Sequence, residues 1–562
     1  MPRLALALAA LVLLLVPSTA LANGSLSAGI DSQLAFGKDD DGNFISGDPF
    51  ANVTQAANEL GAQTMRVHAV WWYTIKREDR AGTGTTCGRP AKVWSDPANY
   101  DWKRLDSQLD TAKSKGLRII LQLTSGFPCW ASHDPGTRCA PGAQCVWRPN
   151  KLVYADWVRA LMKHLIARGD LVNRISPWNE PNNPQFLQIS DPAISDATTK
   201  ARVQSRDRAL AFRDLWFNAR KVIRDEFPQI TAPLWFGDLQ QSDNVFRFTR
   251  DAFCYPVNID DPANPVNQQP TTADPQYLDC ADPLIQVDAE AVTFHTYLNE
   301  NSPEENLVYM RDMRKTWSRI RNYPSPTAPT IDVPSYFAIT ESGVHHNQTY
   351  AATATLPERK DARGTIRANN PAMAAAHLNC LEHNIYRDPR TVGLIQYLLN
   401  DAPGTTGDTT FTGLNFRDGT HKPMWSAWRM PLTVHRTSPT APTNLRAWGA
   451  YRPYAGGRPA AVTLVGLSSA GSIVWQKSVP LTASVPTTMS PPNGGYFLAD
   501  FTDAPTTAVQ FETRANGITS RRARVGDCNQ DSDRNGTVAN TTTSPYEVWS
   551  GGDAIDMATS PK

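Results

Sequence analysis

Residues 171–183 read LVNRISPWNEPNN, an apolar, strand-like run that stops in a polar loop at Glu180-Pro181. It is preceded by YADWVRALMKHLIARG and followed by FRDLWFNARKVIRDE, in both of which apolar residues recur every three or four positions, the period of an amphipathic helix. A strand framed by two helices is one βα unit of a parallel sheet. The same theme recurs from residue 29 to residue 400. Upstream runs are GIDSQLAFG (29–37), TMRVHAVWW (64–72) and GLRIILQLTSG (116–126). Downstream runs are TAPLWFGD (231–238), EAVTFHTY (290–297), SYFAITESG (335–343) and TVGLIQYLL (391–399). Together they number eight, which is what closes a (β/α)8 TIM barrel. Long stretches after the strands, at 73–97, 125–150 and 239–287, fall where such a barrel builds its active-site face.

The texture of the chain changes outside this region. Residues 1–22 combine Arg3, an apolar run and Ala20-Leu21-Ala22, which predicts a secretory signal peptide, because the apolar run is shorter than the ~20 residues that span a bilayer. The barrel is expected over 23–435, a Pro/Ser/Thr-rich linker over 436–444, and a small β-sandwich over 445–527, where short alternating runs are separated by turn residues. The remainder, 528–562, is rich in Asn, Asp, Ser, Thr and Gly and reads as a polar tail. In that tail, Asp531, Asp533, Asn535 and Gly536 match the first half of a calcium loop, but Thr542 stands where the bidentate Glu is needed, so no metal is expected.

Lys+Arg 55 against Asp+Glu 54 gives a net charge of +1 without any long basic run, which argues against nucleic acid as a partner. The eight cysteines, at 87, 129, 139, 145, 254, 280, 380 and 528, show no zinc spacing and suit disulfides. The four between 87 and 145 are expected to pair among themselves and Cys254 with Cys280, leaving Cys380 and Cys528 either free or joining distant segments.

Two glutamates carry the chemistry. Glu180 ends the fourth run and Glu341, in ITESG, ends the seventh, and closure of a barrel brings those two strand ends face to face. A carboxyl pair of this kind is what glycosidic bond hydrolysis requires.

The combination of WNEP ending the fourth strand and ITESG ending the seventh resembles the clan GH-A glycosidases, which include glycoside hydrolase families 5 and 39, over roughly residues 29–430. The resemblance implies that Glu180 is the general acid/base, Glu341 the nucleophile, and Asn179 the residue that bonds the sugar 2-hydroxyl. Arg66 is similar to the second-strand arginine that holds the nucleophile ionised, and His295 and Tyr297 to the sixth-strand pair facing the sugar and the nucleophile. One departure is that the eighth run offers Gln396 and Tyr397 where many clan members place a tryptophan platform.

Trp71, Trp72, Trp130, Trp147, Trp178, Phe186 and Trp235 fall near strand ends or in the loops after them, where flat rings can stack on sugars. Trp178 and Trp72 are therefore expected, with Asn179, Arg66, His295 and Tyr297, to bind substrate. The resulting expectation is a secreted, monomeric, retaining O-glycosidase of oligo- or polysaccharide, with no cofactor and no membrane span in the mature chain. The rival readings are a catalytically silent carbohydrate-binding surface protein, and a transglycosidase using the same glutamates.

Overall fold

The computed structural model describes residues 27–31, 56–124, 126–136, 138–170, 172–189, 197–242, 245–253, 289–298, 313, 336–345, 359–360, 366–367, 371–386, 390–401, 412–416, 419–452, 458–481, 495–525 and 527–529. The signal peptide, the calcium-loop-like stretch, Cys254 and Cys280 lie outside the described residues.

The eight apolar runs form eight parallel strands: β1 (Ser27–Asp31), β2 (Thr64–Val70), β3 (Arg118–Thr124), β4 (Arg174–Pro177), β5 (Trp235–Leu239), β6 (Ala291–Leu298), β7 (Tyr336–Val344) and β8 (Thr391–Tyr397). Their order in the sheet is β4-β3-β2-β1-β8-β7-β6-β5. The two ends meet where Ile175 of β4 bridges Leu234, just before β5, its N–H donating to Pro233 O at 3.0 Å. The sheet is thus closed, and the fold is the (β/α)8 barrel expected from the sequence.

Alternation along the strands fills the interior in layers. On β6, Ala291, Thr293, His295 and Tyr297 climb from floor to rim at a period of two. Ala291 belongs to an apolar plug with Ile120, Trp235, Ala338, Val392 and Ile395, while the layers above it are polar. The opposite faces of the strands join one large apolar cluster with the surrounding helices.

Those helices follow from their periodicity. α1 (Lys103–Ser114) precedes β3, α2 (Lys151–Arg168) precedes β4, α3 (Ala197–Lys221) precedes β5, α4 (Val245–Ala252) follows β5, α5 (Pro371–Tyr386) precedes β8, and α6 (Pro423–Arg429) follows it. In α2, Val153, Trp157, Leu161 and Leu165 bury one stripe against the sheet, each large side chain contributing about 1.5–3 kcal/mol. Its first turn is capped by Asn150, whose side chain accepts from the N–H groups of Leu152 and Val153, and its last ends on left-handed Gly169. Among the described residues, no helix is long and apolar enough to cross a membrane.

The C-terminal sheets begin earlier than the sequence suggested. β9 (Leu432–Arg436), placed by composition at the end of the barrel, pairs antiparallel with β10 (Leu445–Ala450), and the Pro/Ser/Thr-rich stretch between them is a hairpin loop, not a linker. β10 also pairs with β13 (Tyr496–Phe501), while β11 (Ala461–Leu467) lies between β12 (Ile473–Pro480) and β14 (Gln510–Ala515) in a second sheet. A separate apolar cluster, including Leu432, Leu464, Phe497 and Phe511, fills the space between the two sheets.

This sandwich is locked to the barrel. Trp448, Ala450 and Tyr496 complete the barrel's own apolar cluster. Beside them Arg452 forms a buried ion pair with Glu382 of α5, which also accepts the Tyr496 hydroxyl at 3.1 Å. Cys380 of the same helix is disulfide-bonded to Cys528, so this last pair joins distant segments. Cys87–Cys129 and Cys139–Cys145 pair within the expected group of four and tie down the loops after β2 and β3.

Candidate active site

The C-terminal ends of the strands depart from regular geometry where the site lies. Leaving β4, the chain passes through two non-glycine residues with positive φ, Trp178 at +76° and Glu180 at +40°, and Asp238 on β5 sits at +49°. Each costs on the order of 1–3 kcal/mol and has to be held by its surroundings. The Glu180 N–H donates to Asp238 O at 2.9 Å and the Trp178 N–H to Leu123 O at 2.6 Å, so β3 and β5 clamp the turn from both sides.

On β7 an irregularity in register does the aiming. Ile339 is opposite Phe294 but Glu341 is opposite His295, so Thr340 is the extra residue of a bulge. The bulge lets two successive side chains point into the barrel: Thr340 donates to Asp238 Oδ1 at 2.5 Å, and Glu341 reaches the centre.

There the glutamates meet. Carboxylate oxygens of Glu180 and Glu341 and a ring nitrogen of His295 all lie within 4.8 Å of one another. His295 Nδ1 is 2.7 Å from Glu180 Oε1 and 3.2 Å from Glu341 Oε2. The Tyr297 hydroxyl donates to Glu341 Oε2 at 2.5 Å, and Arg66 Nη1 to Glu341 Oε1 at 2.5 Å. Asn179 Oδ1 accepts from Arg66 Nη2 at 3.0 Å and from Gln122 Nε2 at 2.6 Å, which fixes which end of the amide faces the arginine and leaves Nδ2 as its donor end. Glu180, His295 and Glu341 are near enough together to hold a small cation, but the fixed charge of Arg66 beside Glu341 opposes one.

Below them is a buried charge cluster that sequence reading missed. Arg66 is bonded to Asp31 and lies 3.3 Å from Asp238, so one guanidinium serves three carboxylates. Asp31 also takes His68 Nε2 at 2.8 Å, while Asp238 accepts from Ser176 at 2.6 Å and Gln122 at 2.9 Å. Asp31, His68 and Gln122 were detectable as polar residues inside apolar runs, two positions from other inward-facing residues, whereas Asp238 turns inward only through the irregularity at Gly237, since Phe236 packs outward on Phe212 and Trp216.

The cluster sets the protonation states. Burial opposes the charge on Arg66, but Asp238, Asp31 and Glu341 outweigh it and push its pKa well above the ordinary value. Burial likewise disfavours ionised Asp31 and Asp238, and is overcome by His68 and Arg66 for the first and by Arg66 and His295 for the second, so both lie below the ordinary range. For Glu341 burial prevails: His295 and Arg66 pull its pKa down, Asp31 and Glu180 push it up, and the net result is above an ordinary glutamate. His295 is raised, because Glu341 and the hydrogen bond to Glu180 outweigh its burial, and the Tyr297 hydroxyl is raised by burial and by Glu341.

Of the residues singled out in the sequence, Glu180, Glu341, Asn179, Arg66, His295 and Tyr297 converge on this point. Trp178 does not: it is completely buried, edge-on to Tyr154 and against Phe127, so its ring is core and has no face for a sugar. Trp72 is only 8% exposed and is covered by the Arg80 guanidinium at 5.1 Å. Trp71, Trp130 and Trp147 are also buried, because the strand ends and disulfide-tied loops pack on each other there, and Trp235, at the start of β5, is buried in the apolar plug at the barrel floor. Phe186 is the partly exposed one of the group.

No protein-family model and no curated protein matches the sequence. Among solved structures, the chain is similar to a family 39 glycoside hydrolase from Bacteroides cellulosilyticus, at 14% identity and TM-score 0.43, covering 86% of this chain and 79% of that one. It is similar to a glucosidase from Croceicoccus marinus at 10% identity and TM-score 0.44, covering 86% and 95%, and to fungal β-1,4-galactanase at 12% and 0.41, covering 72% and 98%. The barrel itself rests on its strand order and closure.

Proposed function

We propose that the protein is a secreted retaining O-glycoside hydrolase acting on oligo- or polysaccharide. The observation that carries this reading is the proximity of Glu180 and Glu341 oxygens, within 4.8 Å, on strand ends facing each other across the barrel. Retaining enzymes keep their two carboxyl groups about 5–5.5 Å apart, whereas inverting ones leave roughly 6.5–9.5 Å for an intervening water.

In the first step a Glu341 oxygen attacks the anomeric carbon while the bond to the leaving oxygen breaks and Glu180 gives that oxygen its proton. In the second, Glu180 takes a proton from water, the water oxygen bonds to the anomeric carbon, and the ester to Glu341 breaks, which restores both groups. In this reading Asn179 Nδ2 bonds a sugar hydroxyl, and Tyr297 and Arg66, which both donate to Glu341, orient its carboxylate. The leader-like residues 1–22 and the disulfides support export of the chain.

A panel of 2,4-dinitrophenyl 2-deoxy-2-fluoroglycosides tests the reading, since these trap the glycosyl-enzyme. A mass increase of one fluoroglycosyl unit, mapped to the peptide containing Glu341 and absent from Glu341→Gln, is the expected result. A protein that only binds carbohydrate acquires no covalent mass from any member.

A further inference from the structure

Resting on that reading, we infer that Asn183 is a positioning residue for Glu180: its amide holds one carboxyl oxygen, so that the other oxygen, facing His295, carries the proton used in the reaction.

The geometry comes from the loop Asn179-Glu180-Pro181-Asn182-Asn183. The Asn183 N–H donates to Glu180 O at 2.8 Å, closing a turn that brings the Asn183 side chain back over Glu180. There Nδ2 donates to Glu180 Oε2 at 2.8 Å, and both side chains are buried. The orientation of the amide is fixed independently, because Oδ1 accepts the Gln185 N–H at 3.0 Å and the nitrogen must therefore face the glutamate. Asn182, next in line, is turned away and binds the loop after β5 through Gln240 O at 2.8 Å.

A carboxyl oxygen that accepts a strong hydrogen bond is the poorer place for a proton. Oε2 is committed to the Asn183 donor, whereas Oε1 faces His295 Nδ1 at 2.7 Å, an atom that accepts in the tautomer protonated at Nε2, so Oε1 is the oxygen left to carry the proton. That nitrogen also lies 3.2 Å from Glu341 Oε2, so His295 is the shared neighbour of Oε1 and the opposite carboxylate. The charged or ionisable groups around this pair are Tyr297 from β6, Glu341 from β7, Arg66 from β2 and Asp238 from β5.

Asn183→Ala and Asn183→Asp separate this role from a structural one. Asn183→Asp keeps an oxygen for the Gln185 N–H and the backbone turn but loses the donor to Glu180. With the sugar selected by the fluoroglycoside panel, kcat/KM is measured on a phenyl glycoside, whose departure needs the acid, and on a 2,4-dinitrophenyl glycoside, whose departure does not. Both variants are expected to lose at least about tenfold on the phenyl glycoside and less than about threefold on the dinitrophenyl one, within the range that a general acid contributes. They should still acquire the fluoroglycosyl adduct at the wild-type rate, which also shows that they are folded. Equal losses on the two leaving groups, or no loss on either, overturn the inference for Asn183 alone. Failure of the wild-type chain to take any adduct overturns it together with the hydrolase reading.

Discussion

Arg66 Nη1 lies 2.5 Å from Glu341 Oε1 with both side chains buried, and the same guanidinium also serves Asp31 and Asp238. The cation is therefore both the counter-ion of the proposed nucleophile and the keystone of the polar barrel interior. Arg66→Ala should leave three carboxylates without it and destabilise the fold by about 3–5 kcal/mol, read from urea unfolding. Arg66→Lys keeps the charge but not the fork, and kcat/KM should fall about 100-fold with the fold retained. A lysine variant within a few-fold of wild type would remove the forked geometry from the account.

The acid side of the pH profile follows from Glu341. Attack needs its ionised form, and burial places its pKa above the ordinary 4.5. As pH falls through that raised value the carboxyl takes up a proton and kcat/KM declines, so the acid limb should lie above 4.5. Asp31→Asn removes a negative charge that pushes Glu341 upward and should move the limb to lower pH. A limb at or below the ordinary glutamate value, or one unmoved in Asp31→Asn, contradicts this assignment.

Much of this was legible in the chain. The eight strands are marked by apolar runs because both faces of a closed parallel sheet are covered, and Glu180 and Glu341 stand out as acids at the ends of such runs. What could not be read was set by packing. Asp31 and Asp238 become partners only when closure brings β1, β2 and β5 around Arg66, and the bulge that turns Glu341 inward after Thr340 has no glycine or proline to announce it. Trp178 is as flat and apolar as any sugar platform, and its burial depends on where Phe127 and Tyr154 lie. The Pro/Ser/Thr-rich stretch looks the same whether it links two units or turns a hairpin.

The sandwich should unfold with the barrel. Glu382→Ala removes the buried carboxylate paired with Arg452 and should cost about 3–5 kcal/mol. Replacing Cys380 and Cys528 by Ala opens a closed loop with a sequence separation of 148 and should cost about 5 kcal/mol on the loop-entropy estimate. In both cases denaturant unfolding followed by tryptophan fluorescence should remain a single transition shifted to lower midpoint. Two resolved transitions, with the barrel's unshifted, would show that the sheets do not brace it.

The central claim is that Glu180 and Glu341 act together by double displacement on one anomeric centre, and its most direct measurement is the configuration of the first sugar released. Proton NMR recorded during the first minutes of hydrolysis, before mutarotation, should show the same anomer as the substrate. Release of the opposite anomer would contradict the account, because it requires a water between two carboxyl groups that this barrel holds within 4.8 Å of each other.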